Sequence, residues 1–321
     1  MNTVVTITEP GNNDVLRVES RAVEKPAAGQ LLIRQEAIGV NFIDIYHRKG
    51  IYPLPAYPAI PGVEGAGVVE DVGDGVEGWS AGDRVVYTGV VGSYAERRLI
   101  PAARALHLPD AISAKAAAAS LLKAMTVHML TTQTWPVGPG MTVLVPAAAG
   151  GLGSLIVRQA KRLGATVIAT VGSPEKEAAT RADGADHVII GRDADIAAEV
   201  KRLTDGRGVD VAYDGVGGTM LARAIASVRP FGAVASIGQA GGSPPAVSVD
   251  ALRPGKCLSA PSIVAYVAEP ARYAEAARAA FAMIEAGISA HIAVERPLVE
   301  AASVLGELES GRLTGSALLI P

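Results

Sequence analysis

Residues 142–176 read TVLVPAAAGGLGSLIVRQAKRLGATVIATVGSPEK, and their pattern decides the fold. Thr142-Val143-Leu144-Val145 and Thr166-Val167-Ile168-Ala169-Thr170-Val171 are apolar and β-branched, as strands covered on both faces require. Between them Leu152, Leu155, Ile156, Ala160 and Leu163 recur at helical spacing, and Gly164 stands where a left-handed helix end would fall. Strand, glycine loop, helix, strand makes a parallel crossover. The loop has the form A-x-x-G-x-x-G, with Ala147, Gly150 and Gly153 as fixed points. Ala149, Gly150, Gly151 and Leu152 then line a helix start whose free N–H groups can hold a pyrophosphate. The glycines alone are a weak signal in a chain with 36 of them among 321 residues; the flanking strands and helix give the loop its weight.

The alternation continues downstream. Residues 185–190, 209–216 and 233–238 predict strands, and 196–203 and 219–228 predict helices, which together make a doubly wound parallel sheet. Upstream, short β-branched runs at 4–7, 31–37, 65–72 and 84–87 are separated by Gly, Pro and Asp, a spacing that suits a partly closed barrel or sandwich. A helical pattern begins near Ser113. Past residues 261–270 the alternation stops, and a helix (273–286), a short strand (292–294), a helix (300–310) and a last strand (316–320) follow. The fold class is α/β. Residues 1–122 with 267–321 form the β-rich lobe, and 123–266 the dinucleotide-binding domain.

A formal net charge of −3 supplies no field that favours nucleic acid or anionic lipid. The single cysteine, Cys257, excludes intramolecular disulfides and cysteine-rich zinc sites, and fits a reducing cytoplasm. MNTVVTITEP lacks the basic segment and apolar core of a secretion signal, and no uninterrupted apolar run of membrane-spanning length occurs, so a soluble protein is expected.

Eight stretches in order are GVNFIDIYHRKGIYP (39–53), IPGVEGAGVVEDVGDGV (60–76), GDRVVY (82–87), GSYAE (92–96), AAAGGLG (147–153), GADHVI (184–189), GVDVAYDGVG (208–217) and GRLTGSALLIP (311–321). Together they resemble the zinc-free, zeta-crystallin-like quinone oxidoreductases of the medium-chain dehydrogenase/reductase superfamily. The resemblance implies a GroES-like N-terminal lobe, a Rossmann domain, a homodimer joined through edge strands near Ser262 to Tyr266, where Ile263-Val264 would otherwise leave an apolar edge exposed, NADPH as cofactor, and one-step or two-step reduction of quinones or other electron-poor alkenes. Two other readings stand beside it: reduction of enones or enoyl thioesters, and a cofactor-binding protein of low turnover with a structural or RNA-associated role.

Zinc-dependent relatives place Cys where this chain has Asn41 and His where it has Val63, so no metal is expected. An NAD site usually ends its second strand in a carboxylate; here the position is Gly172-Ser173, followed by Lys176 and Arg192, cations suited to a 2′-phosphate. The plain alternatives are a solvated lysine and a surface arginine. Glu175 reads as an early-helix carboxylate facing the dipole. Relatives carry the same lysine but often a Tyr at Gly191, which implies a weaker preference for NADPH here. Val216, Ile237 and Gln239 follow strands at the carboxyl edge, where the nicotinamide half lies; Gln239 replaces the Asn usual in relatives, and Gly215 the Ser. Thr126 and Arg312 match family residues that touch cofactor; the former also fits a mid-helix hydroxyl bonded to its own backbone. Asn41, Tyr46 and Tyr52 are expected to line an interlobe pocket and position the substrate, with no essential acid. Asp44 and Glu64 read as structural carboxylates.

Overall fold

The computed structural model describes residues 1–321. Strands β1 (Asn2–Ile7) and β2 (Leu16–Arg21) form an antiparallel ribbon. The eleven-residue β3 (Gln30–Val40) follows, and its side chains at Leu31, Ile33, Ala37 and Ile38 are buried. The chain then turns at Asn41 into helix α1 (Phe42–Arg48), started by Asp44, whose carboxylate accepts the Asn41 backbone N–H at 2.9 Å. Next come β4 (Glu64–Val72), β5 (Arg84–Thr88), β6 (Arg97–Pro101) and β7 (Ala105–His107). Helix α2 (Ala114–His128) runs on into a π-helical turn, Met129–Thr134.

The doubly wound region matches the expected alternation. It comprises β8 (Thr142–Val145), α3 (Gly151–Arg162), β9 (Thr166–Val171), α4 (Glu177–Ala182), β10 (His187–Ile190), α5 (Ile196–Leu203), β11 (Val209–Asp214), α6 (Thr219–Ser227), β12 (Val228–Ser236) and β13 (Cys257–Ser259). The six strands are all parallel in the order β10-β9-β8-β11-β12-β13. That is the order of a dinucleotide-binding sheet, with its switch point between β8 and β11. β12 starts five residues before the expected 233, because Val228 already pairs with Val209 before the register shifts. Leu144, Ile168, Ala212, Leu221, Ile225 and Val234 form the core between sheet and helices.

One expectation fails here. Residues 262–266, read as an apolar edge strand, form the short helix α7 (Ile263–Tyr266), started by Ser262 Oγ accepting from Ala265 N at 3.3 Å. The N-capping serine outweighs the β-branched pair Ile263-Val264, and the sheet edge is β13 instead.

Helix α8 (Pro270–Glu285), β14 (Ile292–Pro297), α9 (Ala301–Glu309) and β15 (Ser316–Ile320) complete the chain. β15 joins the N-terminal sheet: it pairs antiparallel with residues 38–40 of β3, while residues 30–34 of β3 pair with β6 and its other edge with β4. One strand thus serves two partners on the same edge, and the seven-stranded sheet curls into a partly closed barrel, the GroES-like form. Val5, Ile38, Ile45, Leu305 and Leu319 pack the core between β3, β15 and α9. By contact the chain divides into Met1–Lys123 with Ala277–Pro321, called unit one below, and Ala124–Ala276, unit two.

Candidate cofactor and acceptor site

In unit two the glycine loop is built so that backbone, not side chain, faces outward. Ala148 N donates to Thr170 O at 3.0 Å, tying the loop to β9, and Gly150 N donates to Ala147 O at 3.0 Å. Ala147 itself adopts φ 51, a left-handed conformation unusual for a residue with a Cβ. A Cβ on Gly153 would stand 2.5 Å from Ala147 O and 2.8 Å from Ala148 Cα, so only glycine lets α3 start this close to β8. Gly150 precedes α3 without any side chain capping it. The first-turn N–H groups of Gly151, Leu152 and Gly153 therefore receive no N-cap side chain, and the helix dipole favours an anion there.

Beyond β9 the chain gathers positive charge. A Cβ on Gly172 would lie 3.3 Å from Arg192 Nε, which sets Arg192 beside the end of the strand. Gly191 N donates to Val171 O at 2.9 Å and brings the arginine there. Lys176 lies in the 3-10 turn Pro174–Lys176, and partial burial followed by the neighbouring Arg192 charge lowers its pKa. The neighbouring Glu175 carboxylate acts in the opposite sense and raises it. Glu175, expected to face a helix dipole, has its carboxyl pKa lowered chiefly by a hydrogen bond with Ser173. No carboxylate occupies the end of β9 itself, where Gly172 and Ser173 stand.

At the switch point the ends of β11 and β12 are knitted together. Asp214 Oδ1, on a buried side chain, accepts from Val216 N at 2.9 Å and Gly217 N at 3.1 Å, and burial raises its pKa. Ile237 N donates to Asp214 O, and Gly241 N to Val216 O at 2.7 Å. Val216, Ile237 and Gln239 therefore share one carboxyl edge with the glycine loop. A cavity of about 520 Å³ in this unit lies elsewhere, beside β10, lined by Arg181, Asp186, His187 and Glu199, and contains none of these residues. Thr126 is buried on α2.

In unit one Asn41 lies between β3 and α1 at 6% exposure, with both ends of its amide engaged. Nδ2 donates to Glu64 Oε2 at 2.9 Å, and Oδ1 accepts from Lys123 Nζ at 2.8 Å. Glu64 Oε1 accepts from Leu122 N at 2.6 Å, and Asp44 Oδ2 accepts from Tyr94 OH at 3.0 Å. Burial raises the Glu64 pKa and lifts that of Asp44 to about 7, while it lowers that of Lys123. Tyr46 is buried and Tyr52 is 45% exposed, their rings edge-on with centroids 5.2 Å apart. Arg312 is exposed in the turn before β15. Lys123 was missed by sequence reasoning, where it served only to interrupt an apolar run; a charge flanked by Leu121, Leu122, Ala124 and Met125 was the available signal.

Residues 27–110 match the model of the alcohol dehydrogenase GroES-like domain, and residues 151–279 that of the zinc-binding dehydrogenases. A quinone oxidoreductase of Pseudomonas aeruginosa is 38% identical over 315 residues, which cover 97% of each chain. The chain belongs to the zeta-crystallin-like quinone oxidoreductases. The crystal structure of Escherichia coli quinone oxidoreductase complexed with NADPH superposes with a TM-score of 0.95 at 36% identity, covering 99% of this chain and 100% of that one. A 2-haloacrylate reductase of a Burkholderia species is 37% identical over 325 residues, 98% of each chain. Within this family the second strand ends without an acid in this chain, and no three His, Cys, Asp or Glu side chains are grouped to hold a metal.

Proposed function

We propose that this protein is a quinone oxidoreductase that draws its electrons from NADPH and reduces small quinones without a metal. The observation that carries the cofactor assignment is the Lys176–Arg192 pair beyond β9, beside a glycine cradle that a Cβ would fill. Ala149, Gly150, Gly151 and Leu152 would hold the pyrophosphate. Gly172, Ser173, Lys176 and Arg192 would hold the 2′-phosphate, with Thr126, Val216, Ile237, Gln239 and Arg312 contributing further contacts. When bound, NADPH supplies the reducing electrons from C4 of its nicotinamide.

The protein's own task is then to bind and orient. Asn41 offers a hydrogen bond to a carbonyl of the acceptor, and the edge-packed Tyr46 and Tyr52 offer a ring surface on which a planar acceptor stacks. No side chain is assigned an obligatory proton transfer. Residues 1–122 with 267–321 serve the acceptor, and 123–266 the cofactor. Asn41 and Val63, where zinc-dependent relatives have Cys and His, support chemistry without metal. A second reading, reduction of an activated carbon–carbon double bond in an enone, acrylate or enoyl thioester, is favoured by the 2-haloacrylate reductase that matches 98% of the chain. A low-turnover binding protein is the third.

NADPH consumption with 1,4-benzoquinone, compared with an enone and with 2-chloroacrylate, tests these readings. Turnover with quinone above the alkenes is expected; the reverse order selects the second reading, and no turnover with any acceptor selects the third. A cytoplasmic, homodimeric protein completes the proposal, supported by the single cysteine and by the unpaired outer edge of β13.

A further inference from the structure

Lys123 is 8% exposed, on a stretch of α2 where Leu121, Leu122, Ala124 and Met125 are also buried. An ammonium group in such surroundings persists only when paired. Its Nζ donates to Asn41 Oδ1 at 2.8 Å and stands 3.9 Å from Glu64 Oε2, the atom that accepts from Asn41 Nδ2 at 2.9 Å. The amide is bracketed by a positive charge at its oxygen and a negative charge at its nitrogen. Turning it over would set oxygen against carboxylate and NH₂ against ammonium, so one orientation survives. In that orientation the second Nδ2 hydrogen makes only a long bond, 3.5 Å, to Gly39 O, the weakest of the amide's contacts and the one a shorter bond can replace.

We propose that Lys123 is a positioning residue of the acceptor site: it fixes the Asn41 amide so that an N–H, and not a carbonyl oxygen, is left for the carbonyl of the acceptor. This rests on the reading of Asn41 as an acceptor-binding residue. Without the ammonium, Glu64 is a fully buried carboxylate with no counter-charge and takes up a proton. A protonated carboxyl both donates and accepts, so either amide orientation becomes possible. Asp44 does not substitute for Lys123. Its Oδ2 is committed to Asn41 N and Tyr94 OH, and it faces the backbone of Asn41.

The test uses the full chain as Lys123→Met, as Lys123→Met with Glu64→Gln, and as Asn41→Ala. The single Lys123 variant strands a buried carboxylate and is the one that endangers folding. The double variant removes both charges together, as buried pairs tolerate, and keeps the side-chain volumes close to the parent's. In the folded double variant the KM for 1,4-benzoquinone rises roughly tenfold, the equivalent of one oriented hydrogen bond, while the KM for NADPH stays within about twofold. Adding both substitutions to Asn41→Ala raises the benzoquinone KM no further. An unchanged benzoquinone KM in the double variant beside a raised one in Asn41→Ala overturns the role of Lys123 and leaves that of Asn41 intact. Full additivity with Asn41→Ala also overturns it. An unchanged KM in Asn41→Ala overturns the reading beneath.

Discussion

Lys176 and Arg192 are ordinary surface cations until the fold is known; near the end of β9 they stand close enough to feel each other's charge, and the proposed cofactor site uses both for a 2′-phosphate. Lys176→Ala is expected to raise the KM for NADPH about tenfold and to leave that for NADH within about twofold, since a charge-assisted contact to one phosphate is removed. Steady-state kinetics with both cofactors check this, and an unchanged preference would sink the assignment. Asp44 carries a second prediction. Its usual pKa of 3.8 is raised by burial to about 7, so between those values the folded protein holds a proton that the unfolded chain has released. The resulting stability is fully present below about pH 4 and is lost as the pH rises through 7. Asp44→Asn removes that dependence, so the unfolding free energies of parent and variant from urea titration should diverge from pH 4 to pH 7.5 by an amount on the order of 4 kcal/mol. Parallel curves would show that Asp44 is ionised throughout.

At the scale of elements, the junction of β8 and α3 tolerates no side chain. Gly153→Ala forces a Cβ toward Ala147 O at 2.5 Å, so the helix start must move away from the loop. NADPH affinity, followed by fluorescence titration, should fall at least about tenfold, and an affinity equal to the parent's would show that the loop gives without consequence. Helix α1 is anchored differently. Arg48, at 1% exposure, donates to Gly11 O at 3.2 Å, to Asn13 Oδ1 and to Glu309 Oε2 at 2.7 Å, and so joins α1 to α9. Arg48→Met removes all three while retaining an apolar stem. A loss of roughly 3 kcal/mol in chemical unfolding is expected, because a buried guanidinium loses three hydrogen bonds, one of them to a carboxylate; a change within experimental error would mean that the stem, not the charge, holds α1.

For the whole molecule, β13 is the outer strand of a parallel sheet, and pairing it with a second copy would extend that sheet. Sedimentation should report twice the mass of one chain, and Leu258→Pro in β13 should shift the protein toward monomer. A monomeric parent would refute the proposal. Most parallel strands and helices of the doubly wound region were legible from the sequence because periodicity is local: buried parallel strands and amphipathic helices declare themselves within ten residues. The segment 262–266 was misread for the same reason, since Ile263-Val264 has strand character and only the Ser262 cap turned it into helix. The candidate site was legible where its residues are contiguous, as in the strand–glycine loop–helix geometry, and obscure where distant segments meet. Lys123 lies 82 positions from Asn41 and 59 from Glu64, and nothing local announced that they touch. By itself the sequence determined the two-part α/β plan, the glycine loop between β8 and α3 and the lack of an acid after β9. The tertiary structure alone decided that two carboxylates and one lysine share a water-poor pocket around Asn41, because burial, which sets their charge states, is a property of the packed chain.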